Sequence, residues 1–138
     1  MQGEQNNDHS MAHNTVSLFV ESRYKVNRKR IILVITNLLK EQEIFLPVEV
    51  SVAVVGDRKM RSLNKKYRGK EGTTNVLSFS LSEGDPAVLP TEILRLGDIV
   101  ISYPQVIREA AKENMLVDDK IDKLVHHGLM HLLGIHHE

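Results

Sequence analysis

The chain has 138 residues, of which 41% are apolar and 26% charged, and its formal net charge is zero. That is the length and composition of one globular domain with enough apolar mass for a core, and a balanced total charge gives no global reason to seek a nucleic acid. With no cysteine, disulfides and thiolate metal sites are excluded; no apolar run approaches the roughly 20 residues of a membrane span, and the N-terminus lacks a basic-then-apolar leader, so the expectation is a cytoplasmic protein without membrane contact.

Residues 1–14 are polar and aperiodic and read as a disordered tail, leaving 15–138 as the folded domain. Val16, Leu18, Phe19 and Val20 place a first strand over 15–21. Asn27 is a helix cap, and Ile31, Ile32, Val34, Ile35, Leu38 and Leu39 follow helical spacing to about 40. Val48, Val50, Val52 and Val54 alternate with smaller or polar residues, which predicts a strand over 47–55 with one buried face. Gly56 and Asp57 then turn the chain into a helix over 58–67, with Met60, Leu63 and Tyr67 on its inner face. From 58 to 70 there are seven basic residues and no acidic one: Arg58, Lys59, Arg61, Lys65, Lys66, Arg68 and Lys70. Such a cluster can contact RNA phosphates, and it is also what a solvated helix face looks like.

A glycine-containing loop over 69–74 precedes a strand at 75–80. Residues 81–96, with two prolines and mixed polarity, read as a surface loop, and 97–102 as a central strand. Ser102, Tyr103, Pro104 and Gln105 open a helix to about 114 with a capping box and an early proline. The last helix begins near 118 and buries Ile121, Leu124, Val125, Leu129, Leu132 and Leu133. The resulting order predicts an α+β single domain, a small mixed sheet of about four strands packed with about four to five helices.

Five of the seven histidines fall in the final thirteen residues. On a helix, His127 and His131 are four apart and share a face about 6 Å from one another. Gly134 ends the helix in a left-handed cap, and His137 returns as a third ligand. The pattern H-x-x-x-H-x-x-G-x-x-H has the metzincin zinc-protease spacing, but the general-base Glu that should follow the first histidine is Gly128 here. The metal cage is kept and the peptidase base is absent. Three imidazoles suit zinc, nickel or copper. His126 lies about 100° from His127 around the helix and falls off the ligand face.

Three segments together resemble one family: Leu63-Asn64-Lys65-Lys66-Tyr67-Arg68 with Thr74-Asn75-Val76-Leu77-Ser78-Phe79, then Leu96-Gly97-Asp98-Ile99-Val100-Ile101-Ser102, then the terminal histidines. The chain is similar to the YbeY family of rRNA maturation factors and metal-dependent endoribonucleases over about 15–138. The resemblance implies one Zn2+ per chain held by His127, His131 and His137, with Arg68 as a catalytic residue beside it. It implies single-strand-specific cleavage in small-subunit rRNA maturation and in ribosome quality control, with rRNA and the small subunit as partners and no role for DNA. The chain departs from the family pattern where His136 replaces an Asp, supplying a rival ligand, where Asn75 replaces another Asp, and where it stops at Glu138. Asn64 and Ser78 are candidates for the cleft or for local hydrogen bonds, and Asp98 for orienting a ligand or making a turn. Two other readings share these residues: a zinc-containing assembly factor that binds RNA without cutting it, and a metallopeptidase.

Overall fold

The alternating valines at 48–54 form the strand expected of them, and the sheet is assembled outward from it. The computed structural model describes residues 14–81 and 93–135 with their side chains, and the backbone of 3–10. The elements run β1 (Gly3–Ser10), β2 (Asn14–Glu21), α1 (Arg28–Glu41), β3 (Val48–Val55), α2 (Asp57–Arg68), β4 (Val76–Ser80), β5 (Leu94–Ser102), α3 (Tyr103–Glu113) and α4 (Val117–Leu132). The sheet order is β1-β2-β3-β5-β4. β2, β3 and β5 are parallel neighbours, and β1 and β4 are antiparallel edges. This is the α+β fold expected, its four anticipated strands joined by a fifth. Among the described residues no helix is long and apolar enough to cross a membrane.

That fifth strand differs from the expectation of an unstructured tail over 1–14. Gly3–Ser10 pairs with β2 from Gly3 opposite Glu21 to Ser10 opposite Asn14. Side-chain polarity is a poor guide at such an edge, because strand pairing is made by backbone groups that every residue carries. The last strand also begins at Leu94, earlier than the sequence suggests. A register shift between Glu49 and Val50 accommodates the early start. Beside it, Gly97 has a φ of 135°, and a Cβ there would collide with the Phe79 carbonyl. Only glycine lets β4 lie against β5 at that point.

The two faces of the sheet are covered unequally. Val16, Leu18, Val50, Val52, Val54, Ile99 and Ile101 pack under α1 and α4 in the main core. On the opposite face α2 is, among the described residues, the one helix over a smaller cluster of Val55, Met60, Leu77 and Val100. Arg30 on α1 ties α4 down, its Nε donating to Asp122 at 2.6 Å and its Nη2 to Asp119. The expected caps are present. Asn27 accepts from the Arg30 amide at 3.1 Å, and the Ser102 hydroxyl accepts from the Gln105 amide at 3.3 Å.

Candidate functional site

Two helix ends from opposite faces of the sheet meet at its β4 edge. α2 stops at Arg68 because Gly69 takes the left-handed conformation (φ 65°) and its amide donates to the Lys65 carbonyl at 3.1 Å. This glycine cap makes Arg68 the last helical residue and directs the chain away after it. α4 ends in the same manner: Gly134 has a φ of 77°, and the Ile135 amide donates to the Met130 carbonyl at 2.9 Å. The glycine termination read from the sequence is therefore present. Between the two ends lies a cleft of about 520 Å³, lined by Tyr67, Arg68, the whole of β4 from Val76 to Ser80, His127 and His131.

The strand contributes its outer edge as well as its side chains. The Ser102 amide donates to the Asn75 carbonyl at 2.9 Å and the Leu81 amide to the Leu96 carbonyl at 3.1 Å. These bonds put the odd-numbered residues of β4 in the hydrogen-bonded pairs with β5. Val76 and Ser78 therefore turn their backbone groups the other way, toward the cleft. Tyr67 packs edge-on against Phe79 with ring centroids 5.0 Å apart. The sequence places Tyr67 on the inner face of its helix; in the fold it is 56% exposed and forms a wall of the cleft. The reason is that α2 overhangs the sheet edge at its last turn, beyond the core that buries Met60.

His127 and His131 are both exposed on the face of α4 that opens into this cleft. Two imidazoles on successive turns, with Arg68 lining the same cleft, are a donor set that fits a borderline divalent cation next to an anionic ligand. Among the described residues no third histidine or carboxylate joins them. The third expected ligand, His137, and its rival His136 lie outside the described residues, as does Glu138. His126 is exposed and does not line the cleft.

Gly128 has a structural explanation. It is buried where α4 rests on the sheet, and a Cβ there would stand 2.9 Å from Ile99 Cγ2 and 3.1 Å from Ser78 Oγ. The Ser78 hydroxyl donates to the Gly128 carbonyl at 3.4 Å. A glutamate has no room at this position, so the peptidase base is excluded by packing. Ser78 thus both lines the cleft and makes a local hydrogen bond.

The other candidates are dispersed. Asn64 is 3% exposed, donates to the Gly72 carbonyl at 3.1 Å and stays out of the cleft. Asp98 accepts from Ser51 across the sheet and, among the described residues, bonds to no histidine. Arg61, Lys65, Lys66 and Lys70 are exposed on and just beyond α2, with Lys66 Nζ 5.1 Å from the Tyr67 ring centre. Arg58 and Lys59 line a different groove, at the other end of the helix.

A supporting network escapes sequence reading because its members lie on different elements. Lys120, 5% exposed, pairs with Glu109 at 3.2 Å and Glu113 at 3.0 Å. Burial alone would lower its pKa, but the two carboxylates outweigh burial and raise it. Burial would likewise raise Glu109, yet hydrogen bonds from Asn75 and Lys120 hold it below its ordinary value. The Asn75 amide donates to Glu109 at 3.0 Å, fixing the start of β4 to α3. An aspartate at 75 would set a second carboxylate against Glu109, which accounts for the asparagine here. Asp57 plays a similar part at the start of α2, accepting from Ser102 Oγ at 3.0 Å, Gln105 Nε2 at 3.4 Å and Arg108 Nη2 at 2.6 Å.

Comparison with known proteins gives a consistent set of relatives. The family model described as endoribonuclease YbeY matches residues 9–138. A protein named endoribonuclease YbeY from Anaeromyxobacter sp. (strain Fw109-5) is 47% identical over 90 residues, covering 65% of this chain and 44% of its own. One of the same name from Syntrophus aciditrophicus (strain SB) is 43% identical over 90 residues, covering 65% of this chain and 55% of its own. The chain thus spans about half the length of these curated relatives. The solution structure of TM1509 from Thermotoga maritima aligns with a TM-score of 0.56 and 26% identity, over 89% of this chain and 75% of that one.

Proposed function

The chain belongs to the YbeY endoribonuclease family, and from that premise we propose that it is a zinc-dependent endoribonuclease cutting single-stranded RNA in the cleft at the β4 edge. The observation that carries the reading is the convergence of Arg68 with His127 and His131 on one cleft, although 58 residues separate the arginine from the nearer histidine in sequence. His127 and His131, with His137, would hold the ion. When bound, zinc supplies Lewis-acid polarisation of a phosphate oxygen.

The chain's own residues account for the rest. Arg68 presents a planar fork of donors that fits a phosphodiester and strengthens its grip as charge develops on the oxygens. Among the described lining residues there is no carboxylate to repel that phosphate. The Tyr67–Phe79 pair offers ring surface on which an unpaired base stacks, while bases held in a duplex are not available to it. The rRNA of the small ribosomal subunit is the substrate in this reading, and its maturation and quality control in the cytoplasm are the cellular task. The family resemblance is the support for these finer assignments.

The test is cleavage of a labelled small-subunit rRNA precursor, beside its isolated single-stranded and duplex segments. Cutting confined to single-stranded RNA, stopped by chelation and restored by zinc, is the expected result. End-group analysis then separates the two nucleophiles, because a 2′,3′-cyclic phosphate marks attack by the RNA's own 2′-hydroxyl. Tight RNA binding with no cutting in zinc-loaded protein would assign the chain to ribosome assembly instead.

A further inference from the structure

The amino-terminal half of α2 borders a second groove, of about 810 Å³, on the face of the sheet away from α4. Phe19 and Val55 supply its apolar lining, Arg23, Arg58 and Lys59 its cations, and Ser62 a hydroxyl. Its carboxylate, Glu21, is already engaged, accepting from the Gly56 amide and pairing with Arg23, each at 3.1 Å. Among the described residues Arg58 and Lys59 make no ion pair. Three cations against one carboxylate leave the groove electropositive, and an apolar lining edged by cations is the chemistry of a nucleotide seat.

The helix connects this groove to the cleft. Arg58, Arg61, Lys65 and Arg68 are spaced three, four and three apart, so they form a single row along α2. All four are exposed. The row starts in the second groove and ends in the cleft. Ten residues of helix span about 15 Å, a distance that a few nucleotides of single strand bridge.

We propose that the second groove is a subsite for single-stranded RNA flanking the cleaved bond, a few nucleotides from it. A base lies against Phe19 and Val55, its phosphates sit among Arg58, Lys59 and Arg23, and Arg61 and Lys65 carry the strand between. This rests on the cleft being the cleavage site. It divides the basic cluster into a bridging row and a terminal seat.

The experiment compares wild type with Arg58→Gln/Lys59→Gln on two single-stranded RNAs, one spanning the cleft alone and one extended by six nucleotides on either side. Wild type is expected to gain about tenfold in kcat/KM from the extension, the worth of about one stacked base. The double variant should lose most of that gain. Its salt dependence on the long RNA should fall by about 1.4 in log–log slope, two contacts at about 0.7 each. An unchanged length advantage and slope in the variant would overturn the subsite. So would a wild type that cuts both RNAs equally well, with the cleft assignment left standing. Cleavage of neither RNA by zinc-loaded wild type would remove the parent reading and the subsite with it. If polyglutamate displaces the long RNA as effectively as a second RNA does, the groove belongs to an acidic protein segment.

Discussion

Substitution of Gly128 by alanine sets two known effects against each other, and their difference measures how closely α4 is seated. Replacing a mid-helix glycine with alanine stabilises the helix by about 1 kcal/mol. Against this, the new methyl would stand 2.9 Å from Ile99 Cγ2 and 3.2 Å from Ile99 Cγ1, well inside the roughly 3.5–4.0 Å at which carbon atoms attract. Ile99 is fully buried and belongs to the main core, so it has little room to yield. Overpacking at such a site costs about 1–3 kcal/mol. Taking the middle of that range, Gly128→Ala should be net destabilised by about 1 kcal/mol, which for a domain of this size lowers Tm by roughly 4 °C. Urea titration at constant m gives the difference directly. Displacement of α4 also carries His127 and His131 away from Arg68, so RNA cleavage should fall by more than the stability loss explains. A variant more stable than wild type by the full helix-propensity gain would refute the reasoning, because Gly128 would then have no packing role and its replacement of the peptidase glutamate would lack a structural cause.

Arg68→Ala should lower the cleavage rate by about 100- to 1000-fold while RNA binding changes only a few-fold, with Arg68→Lys in between because a point charge cannot form the fork; parallel loss of rate and affinity would make Arg68 a binding residue only. Metal analysis of untagged protein should give about one zinc per chain, lost in His131→Ala; full occupancy in the variant would take that imidazole out of the ligand set. Asp57 supplies a pH prediction. Burial alone would raise its pKa, but hydrogen bonds from Arg108, Ser102 and Gln105 outweigh burial and hold the carboxyl below its ordinary value of 3.8. A depressed folded-state pKa means stability that is present above the unfolded value and lost as pH falls through the folded one. Urea stability should therefore drop below about pH 4, and the drop should be shallower in Asp57→Asn. That variant should also be weaker at neutral pH by about 1 kcal/mol, a figure discounted for the half-exposed Arg108. An identical acid profile in the variant would show that the Asp57 network contributes nothing.

What the sequence makes legible is whatever local chemistry decides. The β3 valines announce a half-buried strand, Asn27 and Ser102 cap where capping chemistry places them, and Gly134 ends α4 in the left-handed turn expected of it. The ligand pair His127 and His131 is legible for the same reason, since four-residue spacing is a property of one helix. What stays hidden depends on partners that lie on other elements. Lys120 looks like any surface lysine of an amphipathic helix, and only the fold sets it between Glu109 and Glu113. Asp98 looks free to orient a histidine until β3 brings Ser51 alongside. The strand at Gly3–Ser10 is hidden for another reason: its partner is the backbone of β2, and pairing of that kind leaves no mark on composition.

The placement of the cleft follows from how unequally the sheet is covered. A site between Arg68 and the histidines needs two helices from opposite faces to reach a common point, and the sheet with a core cluster on each face would ordinarily keep them apart. They meet only because β4 is short, five residues, and lies at the edge. Its odd-numbered side chains, Leu77 and Phe79, belong to the α2 cluster, whereas Val76 packs with the main core and Ser78 touches α4. One strand thus sets the height of both helices. Gly97 lets it approach β5, Asn75 anchors its start to α3 through Glu109, and Gly128 lets α4 settle onto it. Each of these residues acts without touching a substrate, by fixing the edge against which Arg68 and the imidazoles are aligned. The edge also explains why backbone groups of Val76 and Ser78 face the cleft: on a strand paired on both sides they would face a neighbouring strand instead.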